Sequence, residues 1–124
     1  MHKKSLLIGA IFGLTSVAIG AFGAHGLKDL LEANDWLDVF ETGVKYQFYH
    51  ALALLIVGLL SDKLKGNWVV KVFYCFVIGV IIFSGSLYIL SLTNIGIFGA
   101  ITPIGGVLLI LGWIFMITGI YKAE

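Results

Sequence analysis

Residues Val72 to Tyr121 form a run of fifty in which Asp, Glu, Lys, Arg and His are all absent. No soluble domain of ordinary composition carries such a run. As one continuous helix it would extend about 75 Å, against a hydrocarbon core of about 30 Å. It must therefore fold back on itself. The turn is legible as Thr93-Asn94-Ile95-Gly96, then Gly99, then Thr102-Pro103. The run is a transmembrane hairpin, and it sets the class of the whole chain.

The rest of the composition agrees. Of the 124 residues 60% are hydrophobic, and the mean hydropathy is +1.04. This describes one integral membrane domain over residues 1–124. Sixteen glycines against one proline suit close helix packing in lipid, where small residues let backbones approach. There is no arginine, and the net charge is only +1; no basic patch exists to neutralise phosphates, so nucleic acid is not an expected partner. Cys75 is the only cysteine, which excludes an intrachain disulfide and a cysteine-based zinc site. The start imitates a signal peptide, with His2-Lys3-Lys4 as a basic lead and Ala21-Phe22-Gly23 as a small-residue cleavage site. The apolar stretch Leu6 to Ala24 is nineteen residues long, beyond the usual signal core, and is read as a retained first span.

Four spans are expected, over 6–24, 44–60, 69–92 and 101–121, forming an all-α, integral membrane four-helix bundle. Lys3, Lys4, Lys63, Lys65, Lys71 and Lys122 fall on one side and Lys28 and Lys45 on the other. By the positive-inside rule both termini are cytoplasmic. Lys71 is placed to snorkel, and Trp68 and Tyr121 suit the inner interface. The Gly26–Gly43 connector carries Asp29, Glu32, Asp35, Asp38 and Glu41 against Lys28. Its Leu30, Leu31, Trp36, Leu37, Phe40 and Val44 are spaced for one helical face. The spacing predicts a short amphipathic extracytoplasmic segment, with Asn34 or Asp35 capping its second half.

Small residues form stripes. Gly9, Gly13, Ser16, Gly20 and Gly23 recur at steps of 4, 3, 4 and 3 in span one, and Gly105, Gly112 and Gly119 at a strict step of seven in span four. Cys75, Gly79 and Ser86 extend the idea to span three. These are helix-packing positions, either within one chain or between copies.

The candidate chemistry is sparse. His25 ends span one, and Tyr46, Gln47 and His50 lie on adjacent turns of span two, with Glu41 just before them. A polar cluster of His25, Glu41, Tyr46, Gln47 and His50 is expected at the outer mouth of the bundle. Intramembrane ionisable residues invite a functional reading. The structural alternative is that Gln47 and His50 hold helices together by hydrogen bonds. No HExxH spacing supports a metal, and no cofactor is expected. Ser84-Gly85-Ser86 lies mid-membrane without a base nearby in sequence, so its hydroxyls are expected to bond back or across helices. Thr102-Pro103 is read as a cap and first turn of span four.

Four segments then carry a resemblance. Gly20-Ala21-Phe22-Gly23-Ala24-His25-Gly26-Leu27 comes first. Phe40-Glu41-Thr42-Gly43 with Tyr46-Gln47-Phe48-Tyr49-His50-Ala51-Leu52-Ala53-Leu54-Leu55 follows. Phe83-Ser84-Gly85-Ser86-Leu87-Tyr88 and Gly99-Ala100-Ile101-Thr102-Pro103-Ile104-Gly105-Gly106 complete the set. In this order they resemble a family of small bacterial membrane proteins of unknown function, the YwdK- and YgdD-like proteins. The resemblance implies a four-span protein of the bacterial cytoplasmic membrane and brings no activity or catalytic residues.

The functional expectation is a non-enzymatic protein that works by packing, in a structural, membrane-integrity or complex-assembly role. Its expected partners are membrane lipids and either further copies of itself or other membrane proteins. The alternative is a small homo-oligomeric transporter or channel with its polar mouth at His25 and His50. That alternative needs a hydrated path, and span four offers only Thr102 and Thr118 as polar side chains. An intramembrane enzyme is disfavoured because no nucleophile–base pair is visible.

Overall fold

A hydrocarbon solvent offers no partner to backbone N–H and C=O groups, so long apolar segments that cross it become helices. The computed structural model, which describes residues 2–64 and 66–123, is built this way. Among these residues the elements are α1 (His2–Ala24), α2 (Lys28–Ala33), α3 (Leu37–Leu60), α4 (Trp68–Thr93) and α5 (Ile97–Lys122). All but α2 are long and apolar enough to span a membrane. Lys65, one of the six lysines expected on the cytoplasmic side, lies outside the described residues.

Three helices begin earlier than expected, the first of them α1, which takes in His2 to Ser5 ahead of the apolar stretch. α3 starts at Leu37 rather than near Val44, so the amphipathic segment predicted for the connector is divided. Leu30 and Leu31 belong to α2, while Leu37, Phe40 and Val44 belong to the first turns of α3. The break is made by Asp35, which adopts φ 59°, with the Trp36 N–H reaching back to Leu31 O at 2.9 Å. Neither Asn34 nor Asp35 caps α3; Trp36 occupies that position with no side-chain cap. The apolar positions are not laid on a membrane surface alone, since Leu31 and Phe40 are buried inside the chain.

α5 likewise starts at Ile97, not Ile101. The hairpin turn is therefore only three residues long, and Asn94 reverses the chain from a left-handed conformation (φ 58°), its N–H bonded to Leu90 O at 2.8 Å. Asn tolerates this region better than most residues. Trp36 Nε1 donates to Asn94 Oδ1 at 2.7 Å, which ties the hairpin turn to the start of α3. Pro103 falls inside α5 instead of opening it. It has no N–H to give Gly99 O, and Thr102 Oγ1 bonds back to Phe98 O at 3.1 Å rather than capping.

The helices pack in series. α1 lies along α3, α3 along α4, and α4 along α5, while among the described residues α1 and α5 form no seam of their own. The end helices are accordingly the more exposed. Only 17% of the apolar stretch of α1 and 22% of that of α5 is buried in the chain, against 44% for both α3 and α4. Phe73, Phe76, Val72, Leu54 and Val57 form the centre of the core.

The small-residue stripes face inward. A methyl group added at Gly9 would meet Ala51 O at 2.9 Å, at Gly20 Val44 Cγ1 at 3.2 Å, and at Gly23 the ring of Phe40. Gly13 is looser, with Ala51 Cβ 4.0 Å away, and Ser16 is buried. On the other seam, Gly105 abuts the backbone of Phe83, Gly112 the ring of Phe76 at 2.5 Å, and Gly119 Trp68 Cβ at 2.8 Å. Gly79 of α4 reciprocates, meeting Leu109. The stripes of α1 and α5 thus serve seams within the chain.

At the end of the molecule where α4 begins and α5 ends, Lys71 Nζ lies 4.5 Å and Lys122 Nζ 5.3 Å from the ring centroid of Trp68. This is the aromatic and lysine anchoring expected of a membrane interface.

Candidate functional site

One face of α3 carries Gly43, Gln47, His50, Leu54 and Val57, all buried. Gln47 and His50 are the polar members. Gln47 Nε2 donates to Phe12 O at 3.0 Å and to Thr15 Oγ1 at 2.7 Å, both on α1. Its Oε1 accepts from Tyr88 OH of α4 at 2.6 Å. Both amide hydrogens and the carbonyl are used, and the orientation of the amide follows from its partners. A single side chain thus joins three helices.

His50 is equally constrained. Trp113 Nε1 is 3.0 Å from Nε2, and the backbone oxygen of Tyr46 is 2.8 Å from Nδ1. An indole nitrogen only donates and a carbonyl only accepts. His50 is therefore neutral, with the proton on Nδ1. The rings of Phe76, at 5.0 Å, and Trp113, at 5.8 Å, meet the imidazole edge to face.

The serines complete the seams. Ser84 Oγ donates to Gly43 O at 2.7 Å and Ser5 Oγ to Leu54 O at 2.6 Å. Ser86 Oγ and Thr102 Oγ1 are 2.6 Å apart, linking α4 to α5. His2 Nδ1 lies 2.6 Å from Gly58 O. The expectation that Ser84 and Ser86 bond across helices is met. Among the described residues no buried side-chain nitrogen or oxygen lacks a partner.

The predicted polar residues do not gather at one mouth. Gln47 and His50 turn inward. His25 is exposed just past the end of α1, Glu41 is exposed near the start of α3, and Tyr46 is 40% exposed with its ring against Phe83. The earlier start of α3 explains the separation. His50 is the fourteenth residue of this helix, about 20 Å along its axis and just past its midpoint. The expected bond between spans one and two is present, but it runs from Gln47 to Phe12 and Thr15, not to His25. Thr15, Tyr88 and Trp113 were not singled out by the sequence. In sequence Trp113 reads as one more apolar residue of span four, although its N–H needs an acceptor when drawn into a core.

These features can be set beside known proteins. Residues 19–106 match the family described as "Protein of unknown function (DUF423)". The UPF0382 membrane protein YwdK of Bacillus subtilis is 47% identical over 121 residues, covering 97% of this chain and 98% of its own. A UPF0382 membrane protein of Staphylococcus saprophyticus is also 47% identical, over 122 residues and the same shares. One from Staphylococcus haemolyticus is 46% identical over 97% of both chains. No solved structure matches. With full-length relatives named as membrane proteins, four helices fit to span a bilayer and a family match over most of its length, the chain belongs to the DUF423 family of membrane proteins of unknown function.

Proposed function

We propose that this chain is a non-catalytic membrane scaffold of the bacterial cytoplasmic membrane. It works by packing against lipid and other membrane proteins and supports membrane integrity or complex assembly. The observation that carries this reading is the saturation of its buried polar groups. Gln47, His50, Tyr88, Ser84 and Ser86 are each bonded to another helix or to their own backbone, and no buried side-chain polar atom among the described residues is left over. A transport path needs groups that exchange partners with a passing solute, and an enzyme needs a nucleophile beside a base. The outward faces are apolar, with Leu14, Val17 and Phe22 on α1 and Ile110, Ile117 and Ile120 on α5 more than half exposed.

In the proposed orientation both termini are cytoplasmic and α2 lies outside. The lysine-rich end, with Lys71 and Lys122 around Trp68, supports it. The functional test is reconstitution and restoration together. Vesicles containing the chain should pass protons and potassium no faster than protein-free vesicles. Cells lacking the chain should admit a membrane-excluded dye until it is restored. A saturable flux that His50→Gln abolishes while the fold survives would establish the transporter reading instead.

A further inference from the structure

On the face of α1 and α3 turned away from the polar axis, the small-residue stripe leaves a groove open to the membrane. Its inner section, of 320 Å³, runs between Ser16 and Val17 of α1 and Phe48 and Tyr49 of α3. Its outer section, of 190 Å³, lies between Gly23 and Ala24 of α1 and Phe40 and Glu41 of α3. Gly20, Val44 and Lys45 line both sections, so the two are continuous. The inner wall is apolar, because Ser16 turns its hydroxyl back to Gly13 O at 2.9 Å. From Tyr49 to Glu41 the groove follows about 12 Å of helix, close to the depth of one leaflet.

Two charges stand at its outer end. α3 has 24 residues, a length of about 36 Å, which exceeds the hydrocarbon core by about 6 Å. Lys45 lies about 12 Å from the first residue of α3. With the whole excess projecting at this end, the Lys45 Cα would lie about 6 Å below the headgroup boundary. Glu41 is one turn nearer the surface. The pair has the i, i+4 spacing that favours an ion pair. Yet the ion pair seen among the described residues is Lys28–Glu32, at 3.9 Å, and Glu41 and Lys45 are not joined. Both line the groove, one turn apart, with opposite charge and no protein partner within salt-bridge distance among the described residues.

We infer that this groove holds one phospholipid with an amine-bearing zwitterionic headgroup, of the phosphatidylethanolamine class. The acyl chain lies between Val17 and Phe48, the phosphate meets the Lys45 ammonium, and the headgroup ammonium meets the Glu41 carboxylate. The order of charges along the groove is the order of the lipid: apolar chain deepest, phosphate next, amine outermost. An anionic lipid such as phosphatidylglycerol satisfies Lys45 through the same phosphate but offers Glu41 only neutral hydroxyls, with no ammonium to balance the carboxylate. A choline headgroup has no N–H to donate to the carboxylate. The inference rests on the scaffold reading and names one lipid that the scaffold engages.

The test is native mass spectrometry of the full chain, equilibrated in mild detergent with equal amounts of phosphatidylethanolamine, phosphatidylglycerol and phosphatidylcholine of identical acyl chains. The ethanolamine lipid should be retained about tenfold over either competitor, the effect of one charge-assisted hydrogen bond. Lys45→Gln should lower retention of all three lipids, since each presents the same phosphate. Glu41→Gln should remove the preference for the ethanolamine lipid. Val17→Trp, which fills the apolar section without touching either charge, should lower retention of all three; circular dichroism confirms that each variant is folded. Equal retention of all three by the native chain, a preference for the glycerol lipid, or a preference unchanged in Glu41→Gln overturns the inference. Ion flux in vesicles together with selective retention would overturn the scaffold reading and leave this site standing. Unselective retention without flux would do the reverse.

Discussion

Gly105 and Gly13 belong to stripes of the same appearance, and the structure separates them. A methyl group on Gly105 would lie 2.8 Å from Phe83 Cα and 2.9 Å from Gly79 O, and closer still to Phe83 N. Ordinary contact begins near 3.4 Å, so α4 and α5 would have to part by more than half an ångström. The obstructing atoms are backbone and cannot rotate away. Overpacking of this kind costs up to about 3 kcal/mol. Alanine is the better helix former by about 1 kcal/mol, which offsets part of it. Gly105→Ala should therefore lose about 2 kcal/mol. At Gly13 the nearest atom is Ala51 Cβ at 4.0 Å. Gly13→Ala meets no obstruction and should gain up to about 1 kcal/mol. Equilibrium unfolding of both variants in mixed micelles, followed by far-ultraviolet circular dichroism, measures the difference. Equal stabilities, or a less stable Gly13→Ala, would refute the close backbone approach at the α4–α5 seam.

Three further outcomes are expected. His50→Gln should melt closer to the native chain than His50→Leu, because leucine leaves the Trp113 N–H without an acceptor; identical melting would mean that this bond contributes nothing. Asn94→Gly should be milder than Asn94→Ala, since both lose the Trp36 bond but only alanine adds the strain of φ 58°, about 1 kcal/mol; reversed thermal stabilities would contradict the left-handed turn. In a Cys75→Ser background, an impermeant thiol reagent applied to intact cells should label Asp35→Cys and spare Lys63→Cys, and the opposite pattern would invert the proposed orientation.

The sequence gives the class, four spans and the hairpin turn through the absence of charge from residue 72 to 121, and its glycine periodicity marks the seams. It misplaces the starts of α3 and α5 for physical reasons. Asp38 and Glu41 make the first turns of α3 read as part of an aqueous connector, although Phe40 beside them is buried against Gly23. Pro103 reads as a helix opening because proline favours first turns, yet α5 has already run six residues before it. The site is harder still. Gln47 to Tyr88 and His50 to Trp113 are separated by 41 and 63 residues, and local spacing carries no information about which turns of α3, α4 and α5 come level. The expected His25–His50 proximity assumed a shorter α3 and a common depth.

Packing in series also sets where the molecule comes apart. In a closed ring each helix is gripped from two sides, and no member can leave without breaking two seams. Here α1 is held chiefly by α3, and α5 chiefly by α4, with Trp113 as its side-chain bridge to His50. Opening therefore begins at the ends of the row and reaches the α3–α4 pair last. Amide hydrogens in α1 should exchange before those of α3. The same arrangement makes the middle seam the common anchor of an α1–α3 pair and an α4–α5 hairpin, which meet through Leu54, Val57, Phe73 and Phe76 and through the Gln47–Tyr88 and Ser84–Gly43 bonds.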